Sequence, residues 1–117
     1  DDIRSSPAVD IASELSEAGM GIRAFDPAAG KNVKEVFSRN SLVEVSDKQY
    51  GILEGADALA VLTDWHQFRN PDFARIKKSL NMPAVFDARN LYRSDIIKRY
   101  GLMCVRTGRP DIIAEEE

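Results

Sequence analysis

Along the first part of the chain, the apolar positions first have the spacing of a helix and then that of a strand. Ser6 followed by Pro7 predicts a helix start, with serine as the N-cap and proline in the first turn. The next apolar positions recur at helical spacing and predict an inward face, and Gly19 ends the helix (the face comprises Ala8, Ile11, Ala12, Leu15 and Ala18). Residues 22–25 then predict a short strand that ends at Asp26.

The middle of the chain gives weaker signals. Residues 28–40 are ambiguous and fit one amphipathic helical turn or two. Residues 42–45 predict a short edge strand, and Ser46 or Asp47 predicts the cap of a brief helix that ends at Gly55.

The second half has a clearer pattern. Residues 58–63, ALAVLT, are almost wholly apolar, which is typical of a central parallel strand covered on both faces. Asn70 and Pro71 predict a helix start, followed by a buried stripe and an opposite basic face. The stripe comprises Phe73, Ile76 and Leu80. Three more elements follow: a buried strand over 84–86, a helix capped by Ser94 up to Tyr100, and a last strand over 102–105.

Strands that alternate with helices favour βαβ units and a Rossmann-like, three-layer α/β fold with a parallel sheet. A doubly wound fold would place a strand before the first helix, so we expect the chain to lack its first central strand; the alternative is a complete domain that begins with a helix. A missing strand predicts direct pairing of residues 22–25 with 58–63, or strand exchange in a dimer. Without a linker signal, we expect one domain over 1–110 and a loose acidic tail over 111–117.

Composition narrows the functional classes. The chain has 117 residues, 44% hydrophobic and 30% charged, which is typical of a globular domain or part of one. Its 16 basic and 19 acidic residues give a net charge of −3, unfavourable for nucleic-acid binding. A single cysteine cannot form an internal disulfide, and one cysteine with one histidine is too few for a zinc site. No apolar run reaches the roughly 20 residues that span a bilayer. We therefore expect a cytoplasmic protein with no metal, nucleic-acid or membrane partner.

Parallel sheets bind ligands beyond the carboxyl ends of their strands, so residues just after each strand are the candidates. Arg4 precedes the first helix, and Arg89 follows the strand over 84–86. Together they are suited to clamp a phosphate or diphosphate. Alternatively, Arg4 pairs with Asp1 or Asp2, and Arg89 pairs with Asp87. Spacing alone leaves both possibilities open.

Other polar residues point less clearly to chemistry. Asp26 is in the position of an acid that binds ribose in dinucleotide-binding folds. However, the turn before the first helix holds serines and a proline instead of glycines. We therefore favour a turn-forming role for Asp26 and expect no NAD site here. Trp65 suits base stacking, a subunit contact or a lid over the core. His66 lacks a neighbouring nucleophile, and Cys104 lies in an apolar strand where thiols are inert. We expect no catalytic residue in this chain.

Five segments in order resemble the C-terminal domain of UDP-glucose 6-dehydrogenases and related nucleotide-sugar dehydrogenases. They are DDIRSSPA (1–8), AFDP (24–27), ADALAVLTDW (56–65), FDARN (86–90) and TGR (107–109). They cover the chain from Asp1 to about Pro110. Ala88 replaces the family's usual glycine, which a negative φ at that position would allow.

The resemblance implies a larger, NAD-dependent enzyme that oxidises UDP-glucose to UDP-glucuronate, with NAD and the catalytic residues on parts outside this chain, and a fragment that is inactive alone. It implies a UDP-sugar partner for this domain, and a homodimer or higher oligomer for the whole protein. Arg89 matches a substrate-contacting arginine, and Arg4 matches the arginine of the opening segment. The alternatives are a dehydrogenase for GDP-mannose or a UDP-N-acetylhexosamine, or a stand-alone regulatory module suggested by Asp1 and Asp2.

Overall fold

The structure is a computed structural model that describes residues 7–111. The chain divides into two compact units, Asp1–Ile52 and Leu53–Glu117. Several sequence predictions lie outside the described residues: those for Asp1, Asp2, Arg4 and Ser6, and that for the acidic tail beyond residue 111.

The first unit contains two helices and two strands: α1 (Pro7–Glu17), β1 (Ile22–Ala24), α2 (Gly30–Val36) and β2 (Val43–Val45). β1 and β2 pair in parallel, with Ile22 opposite Val43. Val9, Phe37 and Val43 form the buried core of this unit. The predicted first helix and both predicted strands are confirmed, and the ambiguous stretch resolves into α2.

Helix α1 turns a different face inward from the one predicted. Val9 and Ser16 are its buried residues, whereas Ile11 and Leu15 are 38% and 36% exposed. Ser16 tolerates burial because its hydroxyl donates to the Ser13 carbonyl at 2.8 Å and accepts from the Asn40 amide at 2.9 Å. A hydrogen-bonded serine therefore occupies a core position that the apolar pattern assigned to other residues.

The second unit contains three parallel strands and two helices: β3 (Leu59–Val61), α3 (Phe73–Ser79), β4 (Ala84–Asp87), α4 (Ser94–Arg99) and β5 (Met103–Arg106). The strand order is β3-β4-β5. Short 3-10 turns occur at Gly51–Leu53, where a brief helix was predicted, and at His66–Phe68, where no helix was predicted. The parallel α/β class expected from the sequence is confirmed.

Helix α3 carries the predicted buried stripe. Phe73, Ile76 and Leu80 are all buried, and the Phe73 ring meets Tyr92 edge to face at a centroid distance of 5.2 Å. The predicted caps are wrong in detail. Asp72 caps α3 by accepting the Arg75 N–H at 3.0 Å, one residue after Pro71, and α4 begins at Ser94 with no side-chain cap.

Burial along the second sheet alternates between its two faces. Val85 and Cys104 are 1% exposed, whereas Phe86 and Val105, which are cross-strand partners, are 46% and 42% exposed. Successive strand residues point to opposite faces, so one face is covered and the other is open. The prediction that the strand over 58–63 is covered on both faces is therefore wrong at the exposed Ala60, and the prediction of a buried strand over 84–86 is wrong at Phe86.

The two sheets have the orders β1-β2 and β3-β4-β5. The predicted pairing of residues 22–25 with 58–63 is wrong, because β1 pairs with β2 and β3 pairs with β4 in separate sheets. Strand exchange in a dimer stays a prediction.

Candidate functional site

The candidate site lies at the carboxyl edge of the three-stranded sheet in the second unit. Because β3, β4 and β5 are parallel, the segments that follow them emerge at one edge. The segment after β4 begins with the Ala88 N–H, which donates to the Val61 carbonyl of β3 at 3.0 Å. The backbone after β4 is thus attached to the end of its neighbour strand before it forms a loop.

Asp87, the last residue of β4, holds this loop from inside. It is 1% exposed, and its two carboxylate oxygens accept different backbone N–H groups: Arg89 on Oδ1 at 3.2 Å and Tyr92 on Oδ2 at 3.0 Å. Hydrogen bonds to a buried carboxylate are charge-assisted and stronger than neutral ones. Asp87 therefore fixes the path of the chain from residue 88 to residue 92.

Asn90 connects the same loop to the third strand. Its backbone has φ 54°, a left-handed conformation that asparagine tolerates better than most residues. Its side-chain amide donates to the Thr107 carbonyl, just beyond β5, at 3.1 Å. Ala88 has no positive φ, since Asn90 is the sole non-glycine residue with one among residues 7–111. The expectation that alanine is accommodated at 88 without strain is confirmed.

Arg89 lies at the tip of this fixed loop, and its side chain is exposed. Its bond to Asp87 comes from the backbone N–H and not from the guanidinium. Both ion pairs found within the described range involve other residues, Arg69 with Asp64 and Arg93 with Asp95. The structure therefore shows no ion pair between the Arg89 guanidinium and Asp87, nor one between Arg89 and any other acid within residues 7–111.

A second arginine near this edge was not singled out from the sequence. Arg106 ends β5 as the cross-strand partner of Asp87, and its Nη2 donates to the Pro110 carbonyl at 2.9 Å. Its Nε is buried and has no hydrogen-bond partner in the described part of the chain. Its strand position gave no signal, because an arginine at a strand end is usually solvated. The same applies to Asn90, whose bridging role depends on the loop conformation.

The segment after β3 is organised around an exposed ion pair. The Arg69 guanidinium binds Asp64 with two nitrogens, at 2.9 and 2.5 Å, and this carboxylate raises the pKa of Arg69. Trp65 is 36% exposed, so it is not packed as a fully buried lid. His66 opens the exposed 3-10 turn, and no described hydrogen bond links its ring to a serine or cysteine. Nothing here forms a nucleophile–base pair.

The residues of the first unit do not fit a dinucleotide. The Asp26 Oδ1 accepts the N–H groups of Ala28 and Ala29 at 2.9 and 2.7 Å, which is the turn-forming role favoured from the sequence. The sequence before α1 holds no glycine-rich turn to approach a pyrophosphate. Asp26 is therefore engaged in a turn, and the sequence before α1 lacks the glycine pattern of a dinucleotide-binding turn.

Cys104 fits an inert structural thiol. It is 1% exposed, and burial raises its pKa to about 11, with the Asp87 and Asp111 carboxylates adding to the effect. The thiolate needed for nucleophilic chemistry is thus disfavoured at neutral pH. Within residues 7–111, no group of three histidine, cysteine or acidic side chains is placed to hold a metal ion, and no helix is long and apolar enough to cross a membrane.

Comparison with known proteins identifies the domain type. Residues 1–94 match the model of the UDP-binding domain of the UDP-glucose/GDP-mannose dehydrogenase family. The chain is 33% identical over 111 residues to a UDP-glucose 6-dehydrogenase of Rhizobium meliloti and 35% identical over 113 residues to one of Pseudomonas aeruginosa. It is 30% identical to UDP-glucose 6-dehydrogenase TuaD of Bacillus subtilis.

These alignments include 94–98% of this chain but only 24–25% of each relative. The chain therefore spans about a quarter of the length of the curated relatives it matches. The family match includes the loop that holds Arg89 and the strands β3 and β4, whereas β5 lies beyond the matched residues. The chain belongs to the UDP-glucose/GDP-mannose dehydrogenase family and corresponds to its UDP-binding domain.

Proposed function

We propose that this chain is the C-terminal, UDP-sugar-binding domain, residues 1–110, of an NAD-dependent UDP-glucose 6-dehydrogenase. The observation that carries the proposal is the exposed Arg89, which forms no ion pair with another of residues 7–111, on a loop whose backbone is fixed by buried Asp87. The family match supplies the ligand class, and the geometry of the loop supplies the group that would contact it.

The chemistry of Arg89 suits a diphosphate. A guanidinium carries a permanent charge and presents a planar fork of N–H donors that pairs with two phosphate oxygens at once. The side chain belongs to a loop attached to both neighbouring strands, through the Ala88 N–H and the Asn90 amide. Little conformational entropy of the backbone is then lost on binding, because the loop is already ordered.

Arg4 is proposed as a further substrate-binding residue. It lies outside the described residues, and its assignment comes from the opening segment that resembles the family's DD-x-R pattern. The dipole of α1, which begins at Pro7, would favour an anion near the N-terminal end of this helix.

The oxidation itself is proposed to occur on other parts of the longer protein. NAD supplies hydride acceptance when it is bound there, and the residues of this chain do not fit it. This domain's part is to hold the nucleotide end of the substrate, so that the sugar is presented to catalytic groups elsewhere. We further propose that the whole protein is a cytoplasmic homodimer or higher oligomer that serves polysaccharide biosynthesis.

The exact sugar nucleotide is proposed to be UDP-glucose, as in the matched relatives. GDP-mannose is the specific alternative, since the family description names both. A UDP-N-acetylhexosamine was the other alternative from the sequence. Rates of NAD reduction by the full-length protein with each sugar nucleotide distinguish the three.

The test of the binding role uses the full-length protein that carries this domain. A charge-assisted hydrogen bond contributes about 1.5–3 kcal/mol, so Arg89→Ala should weaken UDP affinity about 10- to 100-fold in isothermal titration. Arg89→Lys keeps the charge but loses the planar fork, and should restore only part of the affinity.

Arg39→Ala is the matched control. Arg39 is also an exposed arginine, but it lies between α2 and β2 in the first unit, whereas Arg89 belongs to the second unit. Its replacement should leave UDP affinity unchanged within about twofold. Equal losses for Arg89→Ala and Arg39→Ala, or no loss for Arg89→Ala, would refute the assignment of Arg89.

A further inference from the structure

The turn that follows β5 lies beside the loop between β4 and α4. Asp87 and Arg106, the last residues of β4 and β5, are cross-strand partners in the parallel sheet, so both segments leave the sheet at the same edge. The Asn90 side-chain amide then donates to the Thr107 carbonyl at 3.1 Å, which joins the two segments just beyond the strands. The segment after β5 is therefore adjacent to the loop that carries Arg89.

Hydrogen bonds and a glycine fix the shape of this turn. Arg106 donates from Nη2 to the Pro110 carbonyl at 2.9 Å, which closes the segment between the two residues. Gly108 within it has φ 69°, a left-handed conformation that glycine adopts without strain. A Cβ atom at Gly108 would meet no atom of residues 7–111 within 4 Å, apart from those of its two chain neighbours. The turn is thus ordered and has open space beside it.

Arg109 is the cation of this turn, and its side chain is exposed. Neither of the ion pairs found among residues 7–111 includes Arg109, so Asp111, two residues further on, does not neutralise it. Arg89 on the adjacent loop has no ion pair in that range either. Two such guanidinium groups on neighbouring segments produce a positive potential that favours an anion with more than one negative charge.

We propose that Arg109 binds the diphosphate of the nucleotide together with Arg89. This inference rests on the proposed function, which supplies a UDP-sugar as the ligand. A diphosphate has oxygens on two phosphorus atoms, and each guanidinium is a planar fork that pairs with two oxygens, so each arginine takes one phosphoryl group. Both segments are already held by hydrogen bonds, so little backbone entropy is lost on binding. Arg109 lies beyond residues 1–94, which the family model matches.

The test measures the UDP affinity of the full-length protein by isothermal titration. Arg109→Gln removes the charge and the planar fork but keeps a polar side chain, and it should weaken UDP binding about 10-fold, as for the loss of a charge-assisted hydrogen bond. The affinity for uridine, which lacks the diphosphate, should be unchanged. The urea midpoint should also be unchanged, because exposed side chains contribute little to stability.

Arg99→Gln is the matched control. Arg99 is another exposed arginine of the second unit, but it ends α4, which leads into the start of β5 and not into its carboxyl end. Its replacement removes the same charge from the same unit and should leave the affinity for UDP unchanged.

A double-mutant cycle tests whether the two arginines share one diphosphate. The effects of residues that share a binding partner are not additive, because the loss of one contact already loosens the ligand. In the Arg89→Ala background, Arg109→Gln should therefore weaken UDP binding only about threefold instead of about 10-fold.

The outcomes separate this inference from the proposed function. An unchanged UDP affinity for Arg109→Gln, beside a loss for Arg89→Ala, would overturn the inference and leave the proposed function standing. Equal losses for UDP and uridine, a loss of the same size for Arg99→Gln, or additive losses in the cycle would also overturn the inference. Absence of UDP binding by the full-length protein would refute the proposed function itself, and this inference with it.

Discussion

Replacing Asp87 by alanine tests whether one buried carboxylate fixes the loop that carries Arg89. The substitution removes the acceptors of two backbone N–H groups, those of Arg89 and Tyr92. Hydrogen bonds to a charged group contribute about 1.5–3 kcal/mol each, and part of that is recovered because the carboxylate no longer has to be desolvated. We therefore expect the free energy of unfolding to fall by about 3 kcal/mol.

Asp87→Asn separates charge from shape. The amide keeps one acceptor oxygen but places an NH₂ group against the other backbone N–H, so the loss should be intermediate, about 1–2 kcal/mol. Asp95→Ala is the matched control: Asp95 is an exposed acid on α4, paired with Arg93, and surface pairs contribute about 0–1 kcal/mol.

Urea unfolding followed by Trp65 fluorescence measures these changes. Trp65 is the chain's one tryptophan and lies in the same unit as Asp87, so it reports on the relevant transition. The order expected is Asp95→Ala, then Asp87→Asn, then Asp87→Ala, from the smallest loss to the largest. A loss for Asp87→Ala no larger than that for Asp95→Ala would refute the assignment of Asp87 as the residue that holds the loop.

Two further predictions concern stability. The pKa of Cys104 is raised from 9.0 to about 11 on folding, so the protonated thiol contributes fully to the free energy of unfolding below pH 9, and this contribution is lost as the pH rises toward 11. Urea unfolding between pH 9 and pH 11 should therefore show a falling free energy of unfolding, and Cys104→Val should remove this pH dependence. Asp72→Ala removes the N-cap of α3 and should cost about 1 kcal/mol by the same assay, whereas Asn70→Ala, at the cap position predicted from sequence, should cost less; equal costs would contradict the observed cap.

The sequence was most informative where apolar runs and turns coincide. The strands β1, β2, β4 and β5 fall within one residue of their predicted positions, because short apolar segments between turn residues have few other conformations. The helices α1 and α3 were also predicted. Helix caps were less predictable, because Asn70 and Asp72 are both suitable cap residues and local packing selects one of them.

Burial was harder to predict than secondary structure. The apolar run at residues 58–63 indicates a central strand, yet β3 pairs with β4 alone among the described strands. Phe86 and Val105 are likewise apolar but about half exposed. An apolar sequence reflects the surroundings for which it was selected, and this chain spans about a quarter of the length of the relatives it matches. The local sequence cannot show which segment covers such a face.

The spacing of Asp87 and Arg89 in the sequence could not decide whether the two side chains form an ion pair. An aspartate and an arginine two residues apart after a strand are equally compatible with an ion pair and with independent roles. The structure distinguishes them by burial: Asp87 is 1% exposed and directs both oxygens toward backbone N–H groups, while the Arg89 side chain is exposed. A carboxylate whose two oxygens accept backbone N–H groups does not neutralise the side chain of its neighbour. For the same reason, the substitutions Asp87→Ala and Arg89→Ala should both weaken UDP binding, but only the first should lower stability.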